Sequence, residues 1–188
     1  MDTDPQPNPK TDRPNPSSIY ELAALQQAIA AQPQRWRPLV FTNGCFDLLH
    51  AGHVRYLAAA KHYGRSLVVG LNSDRSVSRL KPPQPGRPPR PLVPQAERAE
   101  ILAALEVVDA VVIFEEMTAI RTIAALKPEI YVKGGDYDRD RLPEAPTVLE
   151  YGGRIELIAI EIPRSTTAIV EGILRGSHRE GTTVGEWE

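Results

Sequence analysis

The chain has 188 residues, 41% of them hydrophobic and 24% charged, enough for one α/β domain with its own core and too few for a second large domain. A formal net charge of −2, from 22 basic and 24 acidic residues, excludes a chain built as a whole for non-specific nucleic-acid binding, so any basic site has to be local. A single cysteine, Cys45, excludes an internal disulfide and a Cys-rich structural zinc site, and no stretch approaches the roughly 20 apolar residues of a membrane span. The N-terminus also lacks the apolar core of a secretory signal, so a soluble, cytoplasmic protein with no membrane partner is expected.

Residues 1–17 are rich in Pro, Asn and Asp and carry too little apolar surface to offset the entropy of ordering, so a disordered tail is expected there. From Ser18, "SIYELAALQQAIAAQ" places Ile19, Leu22, Leu25 and Ile29 on one helical face, with Ser17 or Ser18 as N-cap and Glu21 completing a capping box. "RPLVFTNGC" reads as a short buried strand, "AGHVRYLAAAKHYG" as a helix with Val54, Leu57 and Ala58 inward and a stop at Gly64, and "SLVVGLNSD" as a second strand ending in turn residues. Lys81 to Pro94, "KPPQPGRPPRPLVP", is too proline-rich for a helix or central strand and is expected to be an extended surface loop. Helix "QAERAEILAALEVV", strand "DAVVIF", helix "MTAIRTIAALKP", strand "EIYVKGGD", strand "RIELIAI" and helix "STTAIVEGILRG" follow. This alternation predicts a Rossmann-like, doubly wound parallel sheet with helices on both faces, one domain over residues 18–176, and a mobile tail over 177–188.

In such sheets ligands sit beyond the carboxyl ends of the strands. "FTNGCFDLLHAGH", Phe41 to His53, lies at that place. Gly44 and Gly52 let backbone approach a ligand, the free N–H groups of a helix beginning near Ala51 favour an anion, and His50 and His53 flank that point as hydrogen-bond donors to phosphate. The same two histidines have the spacing of a zinc pair, but a third ligand has no motif partner; cap and core roles are the bland alternative. Asp47 is either a turn former or part of the site. In "VKGGDY", Gly135 and Asp136, with Lys133 beside them, end a strand where backbone can approach a base or ribose and a carboxylate can accept from a ribose hydroxyl; the alternative is a glycine turn. "RSTTAIV" opens the last helix with Arg164, Ser165, Thr166 and Thr167, which suit β- and γ-phosphates, although Ser and Thr cap helices everywhere.

"GCFDLLHAGH" resembles the G-x-F-D-x-x-H-x-G-H signature of the cytidylyltransferase-like nucleotidylyltransferases of the HIGH-motif superfamily. "VGLNSD", "ERAEILAALEVVDAVVIF", "KPEIYVKGGDY", "EYGGRIELI" and "RSTTAIV" extend the resemblance to the ADP-heptose-forming adenylyltransferases of that family, in a stand-alone form with no kinase domain ahead of it. The resemblance implies an enzyme that moves AMP from ATP to D-glycero-β-D-manno-heptose 1-phosphate, with Mg²⁺ held mainly by nucleotide phosphates and no dedicated protein metal site, in a homo-oligomer. It implies nucleotide contacts for the Cys45 and Phe46 backbone amides, Asp47 and Gly52. It further places His50 and His53 on the triphosphate at the reacting phosphorus, with Lys81 on acceptor or nucleotide phosphate. Arg98 matches a helix arginine that contacts nucleotide phosphate, where the bland alternative is a surface ion pair. CTP-dependent glycerol 3-phosphate or phosphoethanolamine cytidylyltransferases are the nearest rivals, and a non-catalytic nucleotide-binding module is the rival of another class. The 81–94 loop is longer than the usual Gly-Pro-Gly-Arg-Pro segment, which leaves Arg87 and Arg90 as alternative bearers of the role given to Lys81, and "YDRDRLPEAPTVLEYGG" departs from the usual run.

Overall fold

The structure is a computed structural model that describes residues 18–135, 141–159 and 166–176. Both terminal tails, Asp136, Arg164 and Ser165 therefore lie outside the described residues. In chain order the elements are β1 (Ile19–Tyr20), α1 (Leu22–Ala31), α2 (Pro33–Trp36), β2 (Leu39–Gly44), α3 (Ala51–Lys61), β3 (Ser66–Asn72), α4 (Asp74–Leu80), α5 (Gln95–Ala103), β4 (Ala110–Phe114), α6 (Ile120–Leu126), β5 (Ile130–Gly134), α7 (Ala145–Glu150), β6 (Arg154–Ile158) and α8 (Thr166–Gly176). The six strands form one sheet in the order β1-β4-β3-β2-β5-β6, every pair parallel.

Period-two alternation decides which face each strand residue serves. Along β2, Leu39 and Phe41 enter one core with Leu25 of α1, Ile123 of α6 and Val148 of α7, while Val40 enters a second core with Leu57 of α3 and Leu102 of α5. Helices thus cover both faces and β3 is buried throughout, which is why its middle reads as an apolar run. Among the described residues no helix is long and apolar enough to cross a membrane.

Three local expectations are corrected, and one helix is added. Ile19 and Tyr20 pair as an edge strand with Val111 and Val112, so the first helix starts at Leu22 behind Glu21, whose side chain makes no capping bond. Val54 is exposed, and Tyr56, Leu57 and Ala60 form the inward face of α3. The helix ends at Lys61, and Gly64 is required by close approach: a Cβ there would stand 2.5 Å from the Pro38 carbonyl oxygen. Finally, Asp74–Leu80, to which the sequence assigned no element, is helical, capped by Ser73 Oγ accepting from Ser76 N–H at 3.1 Å, and Lys81 follows it as the head of the proline-rich loop.

Candidate functional site

Running out from the centre of the sheet, β2 is followed by β3 on one side, while β5 returns to its other side, so the connections leaving β2 and β5 diverge to opposite faces. A crevice opens at that switch point by topology alone. Here it is a cleft of about 620 Å³ whose walls include His50, His53, Lys81, Arg90, Lys133 and Thr166. A cavity of about 380 Å³ lined by Arg35, Glu100, Glu106 and Asp109 lies elsewhere and gathers mixed charge without a cradle for phosphate.

His50 is the N-cap residue of α3 with extended backbone, and its side chain leaves the helix start uncapped. The His50 and His53 rings stack with centroids 3.9 Å apart at 30°, and Phe46 braces His53 at 5.3 Å. Phe46 itself sits at φ +43°, a conformation costly for a bulky residue, and turns the chain from β2 into the motif. Burial pushes both imidazoles below the ordinary histidine value, and His53 falls to about 4 because His50 adds like-charge repulsion to that burial. Near neutral pH each ring is therefore neutral, with one N–H donor and one acceptor. Both Nδ1 atoms are buried with no hydrogen-bond partner among the described residues. Glycine at position 52 leaves the His50 ring in place, because a Cβ would meet it at 2.9 Å and push it aside.

Cys45, Phe46 and Asp47 all border the cleft, but Asp47 is committed to protein: its buried carboxylate pairs with Arg90 Nε and accepts from Leu92 and Val93 N–H at 2.8 and 3.0 Å. Arg98 is fully buried and is not among the residues lining the cleft. Its Nε donates to Val93 O at 2.8 Å, Nη1 to Cys45 O and Nη2 to Asp74 Oδ1 at 2.8 Å, so it ties the motif, the proline-rich loop and α4 together. It is a buried tie between these elements and not a surface ion pair. Burial pushes the Cys45 thiol up, against the lowering influence of Lys81, Arg98 and Arg90. Lys81 is exposed at the cleft's edge.

Across the switch point, Lys133 Nζ donates to Asn43 Oδ1 at 2.8 Å, and Tyr131 Oη donates to the same oxygen at 2.8 Å. Burial lowers the Lys133 pKa, partly offset by the Glu144 carboxylate. Glu144 is buried and Oε1 accepts from Ala119 N–H at 3.2 Å. Gly134 lines the cleft; Gly135, at φ +117°, turns away and donates its N–H to Ile158 O at 3.0 Å. Thr166 and Thr167 border the cleft where α8 begins, Thr166 Oγ1 donating to Leu48 O at 3.5 Å. Asn43 and Glu144 are cleft residues that sequence reasoning missed. Asn43 had a signal, a polar residue inside an apolar strand; Glu144, in a segment without a motif, had none.

A doubly wound sheet with an uncapped helix start, two neutral histidines and a basic loop around its switch point defines a Rossmann-like α/β protein with an anion-receptive cleft. The profile of the cytidylyltransferase-like family matches residues 41–172, and the chain belongs to that family. The bifunctional protein HldE of Geotalea uraniireducens (strain Rf4) is 52% identical over 164 residues, 87% of this chain and 32% of that protein. Its counterpart in Geobacter metallireducens (strain ATCC 53774 / DSM 7210 / GS-15) is 51% identical over the same shares. The chain thus spans about a third of the length of these relatives. Among solved structures, the lipopolysaccharide core biosynthesis protein from Thermoplasma volcanium GSS1 superposes with a TM-score of 0.52 at 28% identity, over 64% of this chain and 93% of that one.

Proposed function

We propose that the chain is an adenylyltransferase that joins AMP from ATP to a sugar 1-phosphate, D-glycero-β-D-manno-heptose 1-phosphate, releasing pyrophosphate. The observation that carries this reading is the stacked, neutral His50–His53 pair at the uncapped start of α3, facing a cleft with cations at both ends. An acceptor phosphate oxygen attacks the α-phosphorus, the bond to the bridging oxygen breaks, and pyrophosphate leaves with that oxygen. The acceptor is already anionic, so the protein needs no strong general base and contributes positioning and charge stabilisation. His50 and His53 donate to phosphate oxygens, the first-turn N–H groups of α3 face the developing charge, and Lys81 neutralises the leaving end. In this reading Lys133 of β5, bonded to Asn43 of β2, holds the acceptor.

Mg²⁺ neutralises phosphate charge when it arrives with the nucleotide. Among the described residues no group of three His, Cys, Asp or Glu is placed to hold a metal ion, and Asp47 and Glu144 are already bonded to protein donors, so no step is assigned to the ion. The test is pyrophosphate release with ATP or CTP crossed with heptose 1-phosphate, glycerol 3-phosphate and phosphoethanolamine. Turnover with ATP and heptose 1-phosphate alone is expected. Turnover with CTP reassigns the substrates, and silence on all pairs overturns the transferase reading with these acceptors.

A further inference from the structure

The proline-rich loop brings three basic side chains near the cleft, and their partners set them apart. Arg87 is drawn to α8, where Nη2 pairs with Glu171, while Nη1 donates to Gln84 Oε1 at 3.0 Å. Lys81 is an exposed ammonium on a flexible stem. Arg90 borders both the cleft and an adjoining side pocket of about 270 Å³ between the loop and α8, with its side chain only 18% exposed. Its Nε is held on Asp47 Oδ2, and the other oxygen of that buried carboxylate holds the Leu92 and Val93 amides of the same loop. No described residue accepts a hydrogen bond from Arg90 Nη1 or Nη2.

An arginine anchored through Nε has given up most of its rotamer freedom before a ligand arrives, and the two Nη groups that remain form a planar fork matched to phosphate oxygens. Lys81 and Thr167 border the same junction between cleft and side pocket, whereas Lys133, Asn43 and Glu144 lie across the switch point. The more highly charged ligand end belongs where the donors gather. Resting on the adenylyl-transfer reading above, we infer that Arg90 is a phosphate-binding residue for the leaving pyrophosphate, and that Asp47 is the residue that positions it. Asp47 then serves the nucleotide through Arg90 and not by touching it.

The experiment is calorimetric titration of inorganic pyrophosphate into the full chain and its variants, with a melting curve for each. Arg90→Ala is expected to weaken binding about tenfold or more, the factor one charge-assisted hydrogen bond sets. Arg90→Lys restores only part of it, because an ammonium cannot hold Asp47 and grip phosphate together. Arg79→Ala, an exposed charge control on α4, stays within about twofold. Asp47→Asn weakens binding in the parent and adds nothing in the Arg90→Ala background, the coupling expected of a residue acting through another and not of a merely structural one. An Arg90→Ala chain that binds like the parent, or an Asp47 effect of equal size in both backgrounds, overturns the inference. Pyrophosphate binding is read without any acceptor, so a wrong acceptor assignment leaves this test standing. A parent chain that binds no pyrophosphate sinks both.

Discussion

With its ring 3.9 Å from His50, the His53 imidazole cannot gain a proton without setting a charge in a buried site beside a second titratable ring. Its folded-state pKa of about 4 lies below the unfolded value near 6.5. Between those values the unfolded chain binds a proton that the folded chain refuses, so stability falls as pH drops from about 6.5 to about 4 and loses nothing further from this group below that. The ligand-free chain should therefore show a falling melting temperature across that window, and His53→Asn, which does not titrate, should flatten part of the decline; an unchanged slope refutes the assignment. Catalytically, His53→Ala should lower turnover on the order of 10²- to 10³-fold, the effect of losing one donor aimed at developing charge, with a circular dichroism spectrum like the parent's. Gly52→Ala tests the same geometry from the backbone. Its Cβ would meet His50 Cε1 and Nδ1 at 2.9 Å, and because a side chain can swing aside, fold stability should change by under about 1 kcal/mol while turnover drops about tenfold or more.

Tyr56 does for α3 what the motif alone cannot. Its hydroxyl lies 2.6 Å from Thr42 Oγ1 on β2 and donates to Val132 O on β5 at 3.0 Å, pinning the histidine helix across the strands that form the switch point. Tyr56→Phe leaves a buried carbonyl and hydroxyl short of a partner and should cost about 1–3 kcal/mol, read as a lower urea midpoint at unchanged m-value. A midpoint within error of the parent means that α3 is held by packing alone. Elements were legible in the sequence where local pattern and tertiary need agree, as in the apolar runs of β2, β3 and β4 and the strand-glycine-helix turn that carries the histidines. They were illegible where another element decided. Ile19 has perfect helical spacing to Leu22, yet the open edge of β4 captures it, Val111 N–H donating to Ser18 O at 2.7 Å. The polar helix α4 has Val77 as its one buried apolar residue and is held by the Ser73 cap, so no amphipathic stripe announces it. The motif histidines stood out because they are close in sequence; Asp47–Arg90 and Arg98–Cys45 join positions 43 and 53 residues apart, and no spacing rule links such pairs.

Charge over the whole molecule is nearly balanced at −2, but it is not evenly spread: Lys81, Arg90 and Lys133 border the cleft, and the carboxylates there, Asp47 and Glu144, are bonded to protein donors. A polyphosphate therefore meets a locally positive, partly desolvated site whose walls come from both faces of the sheet. Binding to the folded chain alone stabilises it by mass action, about 2.7 kcal/mol at a hundredfold excess over Kd. For a domain of this size that corresponds to a rise of about 5–10 °C in melting temperature. Salt separates the sources of that rise. At 1 M ionic strength the screening length is about 3 Å, so the contribution of exposed Lys81 should vanish while those of half-buried Lys133 and of the hydrogen bonds from His50 and His53 persist. At fixed ATP concentration the shift should shrink by a few degrees in high salt without disappearing, and Lys81→Ala should remove the part that salt removes. A shift abolished by salt would assign binding to surface charge, leaving the histidine pair without its ligand.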